Sequence, residues 1–295
     1  MPDRLDVRFP AGEQQCAAWL YLPERSSPPP VVILGHGLGA VRQMRLDAYA
    51  ERFLAAGYAC LVFDYRHLGD SDGEPRQLVD INEQLADWAS AIAYARSRPE
   101  LDPNRVVLWG SSFGGGHVLV AAARDQGVAA VVSQCLFTDG PASALAMSPA
   151  ALVKVAVRTV RDLIGSLLRR PPVMVAVAGR PGSTALLTAP DALPGYLGLV
   201  PDGVQFRNEV AARLALHSLR YRPGRSVSRI ACPVLFCVCE HDSVAPSKAT
   251  LRHARRSPRV EVRLYPLGHF DIYSGDGFER AVADQIAFLA RHVPA

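Results

Sequence analysis

The sequence predicts an α/β fold with a mostly parallel sheet covered by helices on both faces, and three observations carry that expectation. Apolar, strand-like runs alternate with helix-length segments through the first half; the alternation breaks after Ser133; it resumes at Val234 and runs to the end. Strands that alternate with helices belong to parallel sheets, whose strands are apolar on both sides because both faces are covered. One interruption in an otherwise regular alternation reads as a core, 1–138 and 226–295, carrying a helical cap inserted at 139–225. At 295 residues and 49% hydrophobic, the chain can bury such a core.

Leu5 to Phe9 and Ala17 to Leu22 read as a leading antiparallel pair, closed by the stiff Pro28-Pro29-Pro30. The alternation then runs Val31 to Leu34 and Arg42 to Ala56, Ala59 to Phe63 and Leu78 to Ser97, Val106 to Trp109 and Phe113 to Arg124, then Val128 to Ser133. Within the insertion the sequence predicts a helix over Pro149 to Arg170, a Pro/Gly-rich passage through Gly203, and a helix-like stretch near Glu209 to Leu219. Val234 to Val238, Ser247 to Ala254, Val260 to Leu264 and a helix around Phe278 to His292 complete the chain. In the long insertion helix, apolar positions 152, 153, 156, 157, 160, 163, 164, 167 and 168 recur at helical spacing, with Lys154, Arg158, Arg161 and Arg169 mostly opposite. A basic amphipathic helix can lie on a membrane. The expectation is nevertheless that this stripe packs over the core, as any packed surface helix would.

Composition bounds the function. The net charge of +4 comes from scattered arginines, Lys154 and Lys248 being the only lysines, which gives no reason to expect nucleic acid. No apolar run is long enough to span a membrane. Met1-Pro2-Asp3-Arg4 opens without the positive and apolar regions of a secretory leader, so a cytoplasmic location is expected. Six cysteines show neither C-x-x-C nor zinc spacing and read as buried free thiols. No cofactor or metal is expected, and a homodimer is left open.

The chemistry sits in the loops. Gly110-Ser111-Ser112-Phe113-Gly114 falls between a strand and a helix. A serine on so sharp a turn needs small residues two before and two after it, and Ser112, unlike Ser111, has glycine at both, so Ser112 is the candidate nucleophile. Gly35-His36-Gly37-Leu38-Gly39 follows another strand; acyl transfer builds negative charge on a carbonyl oxygen, and the Leu38 and Phe113 amides are the expected oxyanion donors. His36 reads as a prop for that loop. His269, just past the strand Val260 to Leu264, is the expected base, since catalytic groups gather at the carboxyl ends of parallel strands. Asp242, past Val234 to Val238, is the expected partner of its imidazole, with Glu240 and Asp139 as competitors.

Ser112, Asp242 and His269 follow the chain order of α/β-hydrolase triads. With His36 to Gly39, Phe63 to Ser71, Gly110 to Gly114, Asp242 to Pro246 and Gly268-His269, the chain resembles the α/β-hydrolase superfamily over essentially its whole length. Within it the likeness is to dienelactone hydrolase-like and X-Pro dipeptidyl-peptidase-like esterases. The resemblance implies ester, lactone, thioester or amide substrates and no cofactor, and the expected partner is a small-molecule acyl substrate. Two departures stand out: dienelactone hydrolases use a cysteine where this chain has Ser112, and His67-Leu68 occupies a place where relatives often have glycine. Asp64, Arg66, Asp70 and Ser71 read as loop scaffolding. Ester hydrolysis, acyl transfer or thioester hydrolysis in a biosynthetic pathway, and ligand binding by a silent site all stay open.

Overall fold

The computed structural model describes residues 4–295; Met1 to Asp3, part of the stretch expected to carry no leader, lie outside the described residues. The chain opens with an antiparallel pair, β1 (Arg4–Ala11) and β2 (Gln14–Tyr21), followed by β3 (Val31–Gly35), α1 (Leu46–Ala55), β4 (Ala59–Phe63), α2 (Ile81–Ser97), β5 (Val106–Ser111), α3 (Phe113–Arg124) and β6 (Ala130–Gln134). The insertion holds α4 (Gly140–Leu145), α5 (Pro149–Leu167), β7 (Met174–Ala178), β8 (Ala185–Leu187), α6 (Ala192–Leu197), β9 (Glu209–Ala211) and α7 (Leu214–Arg220). A 3-10 turn at Pro223–Arg229 leads back to β10 (Val234–Cys239), α8 (Ser247–Ala254), β11 (Val260–Tyr265) and α9 (Gly275–His292).

Among the described residues the main sheet has eight strands in the order β1-β2-β4-β3-β5-β6-β10-β11. The pairs β1/β2 and β2/β4 are antiparallel, and every later pair is parallel. All residues of β3, β4, β5, β6 and β10 are buried, because α1 and α9 cover one face of the sheet while α2, α3 and α8 cover the other. This is the α/β-hydrolase architecture the sequence predicts. Since β3, β5, β10 and β11 run in one direction, the loops after Gly35, Ser111, Cys239 and Tyr265 emerge at one edge, where side chains far apart in sequence can meet.

Local chemistry sets the helix starts. Asp80 caps α2 by accepting from the Asn82 and Glu83 amides, so that helix begins at Ile81 and not at Leu78. The helix expected from Arg42 starts only at Leu46. The Arg42 amide and guanidinium are held by the buried Asp64 carboxylate, and Arg45 takes a left-handed φ of 73° that a helix cannot continue through. Asp64 also accepts from the Asp70 amide, and Ser71 donates to its carbonyl, so the scaffolding expected of that loop is present. His67 has φ 68°, the conformation that favours glycine and the reason a glycine suits this place; its ring is held between the Pro75 carbonyl and Glu83.

Two expectations for the insertion need correction. The Pro/Gly-rich passage and the stretch from Glu209 hide a second sheet, β8-β7-β9; Glu209–Ala211 is a strand paired with β7, and only Leu214–Arg220 is helical. Strands of three to five residues carry too little alternation to be read from sequence. They persist because Gln77 on the core clamps them, accepting from the Ala211 amide through its carbonyl and donating to the Glu209 carbonyl through its side chain. The second correction concerns α5. Ala151, Val155, Thr159 and Asp162 are buried and Leu152 and Leu163 half-buried, so part of the expected stripe does turn inward, while Val153, Val157, Val160, Ile164, Leu167 and Leu168 are exposed. Hydrogen bonds hold the docked face: the Thr159 hydroxyl donates to Ala212, and the buried Asp162 carboxylate takes the Arg213 guanidinium and the amides of Val173 and Arg213. A helix docked by hydrogen bonds has no need to turn all of its aliphatic stripe inward, and here the stripe is split between the two sides.

All six cysteines are free and buried, and no described helix is long and apolar enough to cross a membrane.

Candidate active site

Ser112 sits at φ 55° and ψ −118°, between β5 and the first turn of α3. A non-glycine residue in this region is strained, and the strain persists because the surroundings fix it: the Ser112 amide donates to Gln134, and its carbonyl accepts from Phe137 and Gly116. The flanking glycines are sterically required. A Cβ on Gly110 would strike the Gly114 carbonyl, and one on Gly114 would strike the carbonyls of Gly35 and His36. Gly37 likewise packs against Ser112, so the loop after β3 and the turn after β5 touch backbone to backbone.

His269 is 2% exposed. Its Nδ1 lies 2.8 Å from Asp242 Oδ2 and its Nε2 3.1 Å from Ser112 Oγ. An ionised carboxylate only accepts, so Nδ1 carries the proton and Nε2 is left to accept from the serine hydroxyl. Asp242 Oδ1 accepts from the Val244 and Ala245 amides at 2.8 and 2.6 Å, which fixes the carboxylate in its own loop. That loop is joined to the His269 loop by Glu240 N–H to Tyr265 O and His241 N–H to Leu267 O. The structure therefore brings Ser112, His269 and Asp242 into one hydrogen-bonded chain. It places the competitors elsewhere: Glu240 is exposed, and Asp139 caps α4 by accepting from the Ala142 amide.

Leu38 and Phe113 line a cavity of about 330 Å³ together with Ser112. No carbonyl of the described residues takes either amide, so both are free to meet a ligand oxygen. His36 props the loop that presents Leu38. Its Nδ1 accepts from the Gly37 amide and its Nε2 donates to the Met44 carbonyl, both at 2.7 Å. The remainder of the cavity wall is mostly apolar and comes largely from the insertion, including Met147, Leu152, Val155, Leu163, Leu187 and Leu216.

Several positioning residues escape sequence reasoning because their partners are remote. The short helix α6 and its N-terminal neighbour Asp191 touch three of the four site loops: Tyr196 donates to the Leu38 carbonyl at 2.8 Å, Ser243 beside Asp242 donates to Asp191 at 2.9 Å, and Gly195 packs on the Phe270 ring beside His269. Behind Ser112, Tyr273 bonds Ser111, and Gln134 links Tyr49, Gln285 and Ser111 in a buried polar network. Nothing in the local sequence around Asp191 or Tyr196 signals these contacts.

Burial depresses two histidines close to the site, His36 to about 4 and His117 to about 3, against an ordinary 6.5. His117 accepts from Tyr221 and donates to Gln84, so its neutral form is fully bonded. Between pH 6.5 and these depressed values the unfolded chain binds protons that the fold refuses, so their contribution to stability is complete above about pH 6.5 and is lost as pH falls. Urea unfolding between pH 8 and pH 5 should show stability falling by at most about 1.4 kcal/mol per histidine for each pH unit traversed below 6. His117→Gln should flatten that slope.

A family model described as the alpha/beta hydrolase fold matches residues 30–160. A quorum-quenching protein, AidA, of Acinetobacter baumannii (strain MDR-ZJ06) is 58% identical over 290 residues, covering 98% of this chain and 95% of that one. A thiohydrolase of Eupenicillium brefeldianum is 27% identical over 288 residues, 92% of this chain and 88% of that one. Among solved structures, the crystal structure of the alpha/beta hydrolase GrgF from Penicillium sp. sh18 superposes with a TM-score of 0.83 at 25% identity, covering 99% and 100% of the two chains.

Proposed function

This chain belongs to the α/β-hydrolase family, and from that premise we propose that it is a serine hydrolase cleaving carboxylic esters, lactones or thioesters through an acyl-enzyme. The observation that carries the reading is the continuous hydrogen-bonded chain from Ser112 Oγ through His269 to Asp242, opening on an apolar cavity. In the proposed reaction His269 Nε2 takes the hydroxyl proton as Ser112 Oγ attacks the carbonyl carbon, and Asp242 stabilises the imidazolium that results. The Leu38 and Phe113 amides hold the oxyanion, and His269 returns the proton to the leaving group. Water, deprotonated by His269, then releases the acid and restores Ser112.

The cavity wall supplied by the insertion suits the apolar chain of an acyl group and offers it few polar partners. Across a series of p-nitrophenyl esters, kcat/KM should rise by up to about fourfold per methylene until the cavity is full and then level off. Lactones and thioesters belong in the same panel, the latter because a relative is named a thiohydrolase. Adding competing alcohols or amines shows whether water is the acceptor. Turnover of no ester, lactone or thioester, together with no mass gain at Ser112 on treatment with a fluorophosphonate, would overturn the reading.

A further inference from the structure

We propose that the outward face of α5 is a docking surface for an anionic lipid bilayer. Val153, Val157, Val160 and Ile164 are each more than half exposed, and Leu167 at the helix end is 85% exposed. Their spacing of three to four residues puts them on one line along a 19-residue helix, roughly 28 Å long. A continuous exposed aliphatic line of this length marks a surface that another phase or molecule covers.

What borders the line selects the occupant. By helical spacing Arg161, Lys154 and Arg158 follow on one flank, all exposed, with Lys154 and Arg158 also donating to the Gly182 and Met174 carbonyls, while the one acid of the helix, Asp162, is buried against Arg213 on the opposite side. Arg169 and Arg170 extend the basic edge just beyond the helix end, and both are exposed. An aliphatic line with a purely cationic border is complementary to an acyl layer beneath anionic headgroups. The helix lies on such a surface and does not cross it, in keeping with the absence of a spanning helix among the described residues. On the other flank the line meets the cavity: Val160 and Ala156 are exposed and also line it. A bilayer seated on α5 therefore lies against one wall of the cavity that holds Ser112, a route by which a membrane-dissolved acyl compound reaches the site. That last step rests on the proposed hydrolase reading; the docking itself does not.

Flotation of the purified full chain with phosphatidylcholine vesicles, with and without phosphatidylglycerol, tests the proposal without any catalytic readout. The expected result is binding that requires phosphatidylglycerol and weakens with added salt. Arg161→Glu should weaken it about fivefold or more, and the triple variant Val153→Ser, Val157→Ser, Ile164→Ser by more than about tenfold, with circular dichroism and the unfolding midpoint of both variants near those of the parent. Failure of the parent to float, equal binding to neutral vesicles, or triple-variant binding equal to the parent's would overturn the proposal. So would sedimentation showing a dimer that the triple variant converts to monomer, which would assign the face to a second copy of the chain.

Discussion

Ser112→Ala should lower kcat for every ester the protein turns over by about 10⁵- to 10⁶-fold while leaving the unfolding midpoint unchanged or slightly raised. The two halves of this result come from the same geometry. Replacing the hydroxyl by a methyl hydrogen removes the atom that would be acylated, and no neighbouring group stands in for it: Ser111 points into the buried network with Tyr273 and Gln134, away from His269. The fold loses one hydrogen bond, to His269 Nε2, and gains no clash, because alanine occupies less space at the same φ of 55°. The backbone strain is held by the Gln134, Phe137 and Gly116 bonds and does not depend on the side chain. Initial rates on the best ester of the panel, with a thermal melt on the same preparation, check both halves. Retention of more than about a hundredth of the parent rate would remove Ser112 from the mechanism.

Asp242→Asn should cost about 10⁴-fold in kcat near neutral pH with little change in KM, through the tautomer of a residue that is not itself altered. The Val244 and Ala245 amides donate to Oδ1 and would keep the asparagine carbonyl in that place. The asparagine NH₂ would then face His269 Nδ1, which must become an acceptor. The ring proton moves to Nε2, where it points at Ser112 Oγ and cannot take the hydroxyl proton. The rate of Ser112 labelling by a fluorophosphonate should fall in parallel, since it needs the same base. Glu240→Gln and Asp139→Asn serve as controls and should stay within about twofold of the parent, because neither carboxylate touches the imidazole. A loss in Asp139→Asn as large as in Asp242→Asn would transfer the role.

Fold class and the candidate chemistry were legible because both are written in short-range patterns. The buried strands β3, β4, β5, β6 and β10 read as apolar runs since a sheet covered on both faces needs nothing else. Gly110 and Gly114 flank Ser112 because a Cβ at either would meet backbone a few residues away or in the adjoining loop, and a glycine pair is visible in sequence. His36 was legible as a prop because it lies beside the glycine whose amide it accepts.

The insertion was read less well, for reasons of distance and length. Its strands are three to five residues long and are stabilised by Gln77, which lies about a hundred or more residues earlier in the chain. Only part of the α5 stripe packs over the core, because periodicity reports that a helix has an apolar side but not how much of that side the core covers. The hydrogen bonds of Thr159 and Asp162 to residues near 212 set the helix's rotation, which leaves Leu152 and Leu163 over the cavity and Val153, Val157 and Ile164 outward.

By itself the sequence determined the order of strands and helices around the main sheet, the strained serine turn and the residue types able to move a proton to and from it, since each follows from steric and chemical demands within a few residues. Tertiary structure alone decided that Asp242, and not Glu240 or Asp139, reaches His269, that α6 braces three of the four site loops, and that α5 shows part of its apolar side to the surroundings. Those outcomes depend on which distant backbone amides and carbonyls come within about 3 Å of a side chain, a condition fixed by packing and not by spacing along the chain.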